Sequence, residues 1–146
     1  MARQDTKLES QGAEFLVLGL MLIEGISCYK SYTNFKGYDL VAVNPETEKV
    51  ARIQVKSRWA TNYDKGFPIK RFESDFVVHV ALNRGYRFGK IAKEGDKDKR
   101  SPEFYIFPTQ VVQNLPRSSW GKINIRKIPN YMSYKENWDL IKLFLD

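Results

Sequence analysis

Apolar residues fall in short blocks along the chain, and the period within each block sorts them into elements. From Thr6 or Ser10 to Glu24 they come densely, and Phe15 to Ile23 is apolar nearly all round, which predicts a buried helix. Thr6-Lys7-Leu8-Glu9 has capping-box spacing at its start, and Gly25 stops it. The nine-residue run from Phe15 to Ile23 is too short to span a bilayer. It also starts too late, and lacks the small-residue cleavage pattern, to be a signal peptide.

The period then drops to two. Ser27 to Tyr32 reads as a first strand, Thr33 to Gly37 as a turn, and Tyr38 to Asn44 as a second strand. Pro45 to Glu48 reads as a loop and Lys49 to Arg58 as a third strand. A polar and aromatic loop runs from Ala60 to Ser74, followed by an apolar strand from Asp75 to Asn83. A charged loop leads to the strand Glu103 to Pro108 and a helix, Thr109 to Leu115, capped by Thr109. Lys122 to Ile128 reads as an edge strand with a basic face. Ser133 to Asp146 reads as an amphipathic helix with Ser133 as cap and Trp138, Ile141 and Leu145 along one side. The order predicts an α/β (α+β) fold, a mixed central β-sheet with helices on both faces. A length of 146 residues suits a single domain spanning residues 1–146.

The hairpin between the second and third strands holds the candidate chemistry. If Asn44 pairs with Lys49 across the four-residue loop, Asp39 falls opposite Gln54, because partner numbers in an antiparallel pair have a constant sum. Lys56 lies on the same face, two residues on. A slip of two residues keeps the cluster and a slip of one breaks it. A hard cation such as Mg²⁺ takes oxygen ligands. Asp39 and the Gln54 side-chain oxygen supply two, and the Val55 carbonyl a third. Lys56 is placed to hold or activate an attacking water and to offset charge on a phosphate. The plainer alternative is an Asp39–Lys56 cross-strand ion pair with Gln54 in solvent.

Composition narrows the partner. A formal net charge of +7 favours an anionic one, nucleic acid before a membrane surface. One cysteine allows no intrachain disulfide and, with one histidine, argues against a zinc site of the usual kind. That usage points to a reducing, cytoplasmic compartment. Basic residues concentrate in three loop-rich places. The first holds Lys56, Arg58, Lys65, Lys70 and Arg71, interleaved with Trp59, and runs straight out of the third strand, which favours it for DNA contact. The other two, from Arg84 to Arg100 and from Arg117 to Lys127, read as well as solvated loops. His79 alternates inside Val77-Val78-His79-Val80 and reads as a packed residue, and Cys28 as a small buried one. Asp75 opens a strand and suits a turn or cap role.

Gly37-Tyr38-Asp39-Leu40 followed by Ile53-Gln54-Val55-Lys56, behind a helix with a lone Glu14, resembles the PD-(D/E)xK nuclease superfamily of restriction-endonuclease-like fold. The likeness in element order covers about residues 8 to 115. It implies a metal-dependent DNA endonuclease, with Mg²⁺ or Mn²⁺ as cofactor and a 5′-phosphate on the product. By the resemblance Asp39 is the principal metal carboxylate, Lys56 the motif lysine, and Glu14 the further acidic ligand of some branches. Glu14 equally suits a charge favoured near a helix N-terminus. Gln54 stands where Asp or Glu is usual, as in Mrr-like restriction enzymes, and leaves the site one formal charge short. A non-catalytic DNA-binding module on the same fold is therefore the alternative. Endonucleases that cut both strands are often two-fold homodimers, although no segment of the sequence identifies an interface.

Overall fold

The computed structural model describes residues 6–31, 37–61, 66–85, 99–118 and 121–146. Its strands are β1 (Ser27–Lys30), β2 (Leu40–Val43), β3 (Val50–Arg58), β4 (Phe67–Pro68), β5 (Phe76–Ala81), β6 (Glu103–Pro108) and β7 (Lys122–Ile123). Its α-helices are α1 (Thr6–Ile23), α2 (Thr109–Gln113) and α3 (Asp139–Leu145). Five strands form a mixed sheet in the order β1-β2-β3-β5-β6, and β4 pairs with β7 separately. β3 and β5 are the parallel pair, and the other neighbours are antiparallel.

Each face of the sheet has its own core. Leu40, Ala42, Ala51, Ile53, Val78, Val80 and Ile106 pack against Ala13, Val17 and Met21 of α1 and against Trp138, Ile141 and Leu145 at α3. On the other face Val77, Tyr105 and Phe107 meet Phe67, Ile69, Val112 of α2, Ile123, Ile125 and Ile128. All six residues of β5 are buried, as expected of a central strand covered on both sides. No helix among the described residues is long and apolar enough to cross a membrane.

Several elements differ from the sequence reading. Helix α1 buries one face only; Leu8, Phe15, Leu16, Leu22 and Ile23 are exposed, because among the described residues the core lies on one side of it. The alternating Lys122–Ile128 segment pairs over only two residues. Asn124 then accepts a 3.0 Å hydrogen bond from the Arg126 N–H and starts a 3-10 turn, Ile125–Lys127. The C-terminal helix is shorter than expected. Ser133 lies in a separate 3-10 turn, Tyr131–Tyr134, where its hydroxyl donates to the Asn130 carbonyl at 2.6 Å instead of capping. Lys135 bridges to Tyr105, the Glu136 N–H donates to the Phe104 carbonyl at 2.7 Å, and Glu136 sits at φ 51°. Those contacts keep the segment out of the helix until Trp138. Thr109 does not cap α2; Pro108 takes that position, and the Thr109 hydroxyl pairs with Ser74 at 3.2 Å. Phe67–Pro68, within the expected loop, is a strand because Phe67 pairs with Ile123 in the second core.

Asp75, expected in a turn or cap role, instead ties the start of β5 to β3. Its carboxylate accepts from the Arg52 N–H at 2.8 Å, and its own N–H donates to the Arg52 carbonyl at 2.8 Å. Cys28 is buried, as expected.

Candidate functional site

The hairpin turn sets the site. The Asn44 N–H donates to the Lys49 carbonyl at 3.0 Å, and the Asn44 side-chain oxygen accepts from the Glu46 N–H at 3.0 Å. Glu48, at φ 64°, closes the loop through its N–H to the Asn44 carbonyl at 2.8 Å. β2 and β3 then pair Val43 with Val50 through Leu40 with Ile53. Continued by one residue, that register faces Asp39 with Gln54, as the sequence spacing requires.

Asp39 lies just beyond the end of β2, where the chain leaves the ladder. Its N–H donates to the Ile53 carbonyl at 2.8 Å and its carbonyl accepts from the Ser31 N–H at 2.9 Å. Its Oδ2 accepts from the Val55 N–H at 2.8 Å. In an unbroken ladder that N–H would meet the backbone of residue 38, so the carboxylate replaces a strand. The N–H and carbonyl of a strand residue point to the same side, which turns the Val55 carbonyl toward Asp39 as well. Gly37, at φ 97°, starts this departure, and the Glu73 carboxylate packs where a β-carbon would stand. A larger residue there would be strained by its backbone and would displace Glu73.

Around Asp39 the charges are partly withdrawn from water. Burial raises the Asp39 pKa above the ordinary carboxylate value, against the Val55 N–H and the positive charges of Lys56 and Lys30. Burial lowers the Lys56 pKa, and the Asp39 carboxylate opposes the shift. The Glu14 pKa is raised by burial and then by Asp39, with Lys30 acting against both. Glu14 pairs with Lys30 at 3.9 Å. One electrostatic cluster thus joins Glu14, Lys30, Asp39 and Lys56. Lys30 went unrecognised in the sequence; its signal was a basic residue on the strand that pairs with β2 at Leu40.

Gln54 is buried, and its Oε1 has no hydrogen-bond partner among the described residues. An amide oxygen withdrawn from water without a partner is costly and suits a site that a ligand completes. Gln54 and Lys56 line an open cleft of about 280 Å³ with Pro68, Lys70 and Arg71. The cleft brings together the motif strand and two of the basic residues expected at DNA. Arg58, two residues further along β3, lines a different cavity with Asn83, Arg100, Glu103 and Tyr105. The Trp59 carbonyl accepts from the Arg84 N–H at 2.9 Å, beyond the end of β3, and Trp59 does not line the cleft. Lys65 lies outside the described residues.

His79 faces Lys56 across the parallel pair and Tyr105 on its other side. It is fully buried and stacks on Phe67 at 5.0 Å between ring centroids. Its ring nitrogens have no hydrogen-bond partner of good geometry, although the Lys56 backbone lies beside them. Burial, and then the Arg58 charge, drive its pKa down to about 3, so it is neutral at pH 7. It is the packed residue that its alternation suggested.

The fold is a mixed α+β fold, a five-stranded sheet flanked by helices. A solved structure described as a bacterial homing endonuclease, I-Ssp6803I, matches it with a TM-score of 0.60 over 95% of this chain and 93% of that one, at 22% sequence identity. No family model and no curated protein matches the sequence.

Proposed function

We propose that this chain is a metal-dependent DNA endonuclease that hydrolyses phosphodiester bonds through a Gln-x-Lys variant of the PD-(D/E)xK site. The observation that carries the reading is the buried, unpartnered Oε1 of Gln54 in the cleft with Lys56, one residue from the Asp39-bonded Val55. The donor set fits a hard cation, since carboxylate, amide and carbonyl oxygens are its preferred ligands. Asp39, Gln54, the Val55 carbonyl and Glu14 would hold Mg²⁺ or Mn²⁺. When bound, the cation would polarise the scissile phosphate and lower the pKa of a water.

The chain's own residues do the rest. The Lys56 ammonium, half withdrawn from water, offsets charge developing on the phosphate and orients the attacking water. Its lowered pKa moves it toward the range in which it could accept a proton. Lys70 and Arg71, on the far wall of the cleft, hold the nucleic-acid backbone. Arg58, the last residue of β3, and Trp59 after it lie outside that cleft and would meet the nucleic acid beyond it. Lys30 supplies a positive charge that lets Asp39 and Glu14 lie near one another. The neighbour's description as a homing endonuclease supports DNA cleavage as the reaction class.

The test is cleavage of closed-circular and linear DNA with Mg²⁺ or Mn²⁺. The wild-type protein should nick the circles, while Asp39→Asn and Lys56→Met should bind DNA without cutting it. Full activity in both variants would remove the assignment. A non-catalytic DNA-binding module is the second reading. It is favoured by the neutral Gln54 and by the lack, among the described residues, of any cluster of three His, Cys, Asp or Glu groups suited to a metal. Binding without cleavage in either cation would select it.

A further inference from the structure

Helix α1 has a second apolar face that nothing in the described chain covers. Leu8 is 67% exposed, Phe15 54%, Leu16 41%, Leu22 52% and Ile23 80%. At about 100° per residue these positions, with Gly12 and Gly19, fill an arc of about 120° nearly opposite the buried Ala13, Val17 and Met21. Leu8, Gly12, Phe15, Gly19 and Leu22 follow one another at alternating spacings of four and three, the seam of a helix that packs on another helix. Glycine is a poor helix former. Outside the helix's own turns, no atom of the described residues lies within 4 Å of where a β-carbon would stand at Gly12 or Gly19, so no packing contact there requires glycine.

We infer that α1 is a homodimer interface, packed antiparallel on α1 of a second copy about a two-fold axis at Phe15. The seam is self-complementary in that arrangement. Reversed on itself about Phe15 it sets Leu8 against Leu22 of the second copy and brings Gly12 within one residue of Gly19, so that large side chains flank the close approach of the glycine backbones. Between the ends the stripe carries no charged side chain, which argues against DNA as the occupant. Its exposure amounts to about three whole side chains, on the order of 500 Å² per copy. That matches the largest apolar patch of a typical monomer, about 300–600 Å², a size that is often functional. A stable complex buries about 800 Å² per partner, so the stripe supplies the larger part of such an interface. An isologous two-fold contact of this kind closes on itself and does not propagate.

The interface also touches the candidate site. The Lys30 ammonium lies 4.3 Å from the centre of the Phe15 ring and 3.9 Å from the Glu14 carboxylate. A second copy seated on Phe15 would shield that pair from water. The inference stands on the helix alone and does not depend on nuclease activity.

Sedimentation velocity over a range from sub-micromolar to high micromolar protein tests it. Wild-type protein should sediment as a dimer. Gly12→Gln and Gly19→Gln fill the seam from positions where an added β-carbon meets nothing outside its own helical turns, and improve helix propensity, so they should sediment as monomers with an unchanged or raised Tm. Oxidative cross-linking fixes the direction: Leu8→Cys mixed with Leu22→Cys should give a covalent dimer, and neither should do so alone. Wild type that stays monomeric, including one that instead floats with lipid vesicles, would overturn the inference. So would glycine variants that remain dimers, or Leu8→Cys that cross-links to itself.

Discussion

Asp39 carries a charge and also completes a strand, and two substitutions separate those roles. Asp39→Asn removes the charge but keeps an oxygen for the Val55 N–H, which now donates at 2.8 Å. Asp39→Ala removes both and leaves that N–H orphaned in a partly buried place. An unsatisfied buried donor costs about 1–3 kcal/mol, and partial access to water puts this one toward the lower end. At about 2–4 °C per kcal/mol for a chain of this size, Asp39→Ala should melt about 2–4 °C below Asp39→Asn at pH 7. The sign against wild type follows from linkage. Burial raises the folded-state pKa of Asp39 above 3.8, so its protonated form favours folding. That contribution is complete below the unfolded pKa and lost as pH rises through the folded one. Asp39→Asn should therefore be at least as stable as wild type at pH 7, with the gap closing as the pH falls toward 3.8. Thermal unfolding of the three proteins across that range gives the answer. Equal melting of the Asn and Ala variants, or an Asn variant clearly below wild type at pH 7, would refute the account of Asp39.

Three further outcomes follow from the same structure. His79 is neutral in the fold with a pKa near 3, so wild type should lose stability as pH falls from 6.5 toward 3 with a slope approaching about 1.4 kcal/mol per pH unit from this group; His79→Phe, compared by denaturant titration, should lack that part of the slope. Gly66 stands at φ 74° with the Ile123 carbonyl where a β-carbon would sit, so Gly66→Ala should cost about 2–4 kcal/mol in chemical denaturation. Lys70→Ala and Arg71→Ala should each lower the salt dependence of DNA binding by about 0.9 in log–log slope if each contacts one phosphate, as measured by fluorescence anisotropy at several salt concentrations.

Some of this arrangement could be read from the chain because it is local. The Asn44-to-Lys49 turn determines the sum of paired residue numbers, and that sum carries Asp39 to Gln54 without further information. His79 could be read as packed because alternation inside β5 leaves it no open side. Lys30 could not, since its place depends on the pairing of β1 with β2 and on the packing of α1 beside both. The Asp39–Val55 bond was also hidden, because it forms only where the ladder breaks. The C-terminal third misled for a related reason. Lys122 to Ile128 alternates like a strand, but the local Asn124 cap wins after two residues. Ser133 to Asp146 has helical spacing, but Lys135 and Glu136 are held by β6. In α1, apolarity on all sides suggested burial, whereas only one side meets the sheet.

The role of Gln54 is the centre of the account. The most direct measurement is nicking of closed-circular DNA as a function of Mn²⁺ concentration by wild type, Gln54→Glu and Gln54→Leu. Restoring a carboxylate should lower the cation concentration at half-maximal rate, and Gln54→Leu should nick little or not at all while remaining folded. A Gln54→Leu protein as active as wild type, with the same cation requirement, would contradict the assignment of the buried Oε1 to a metal.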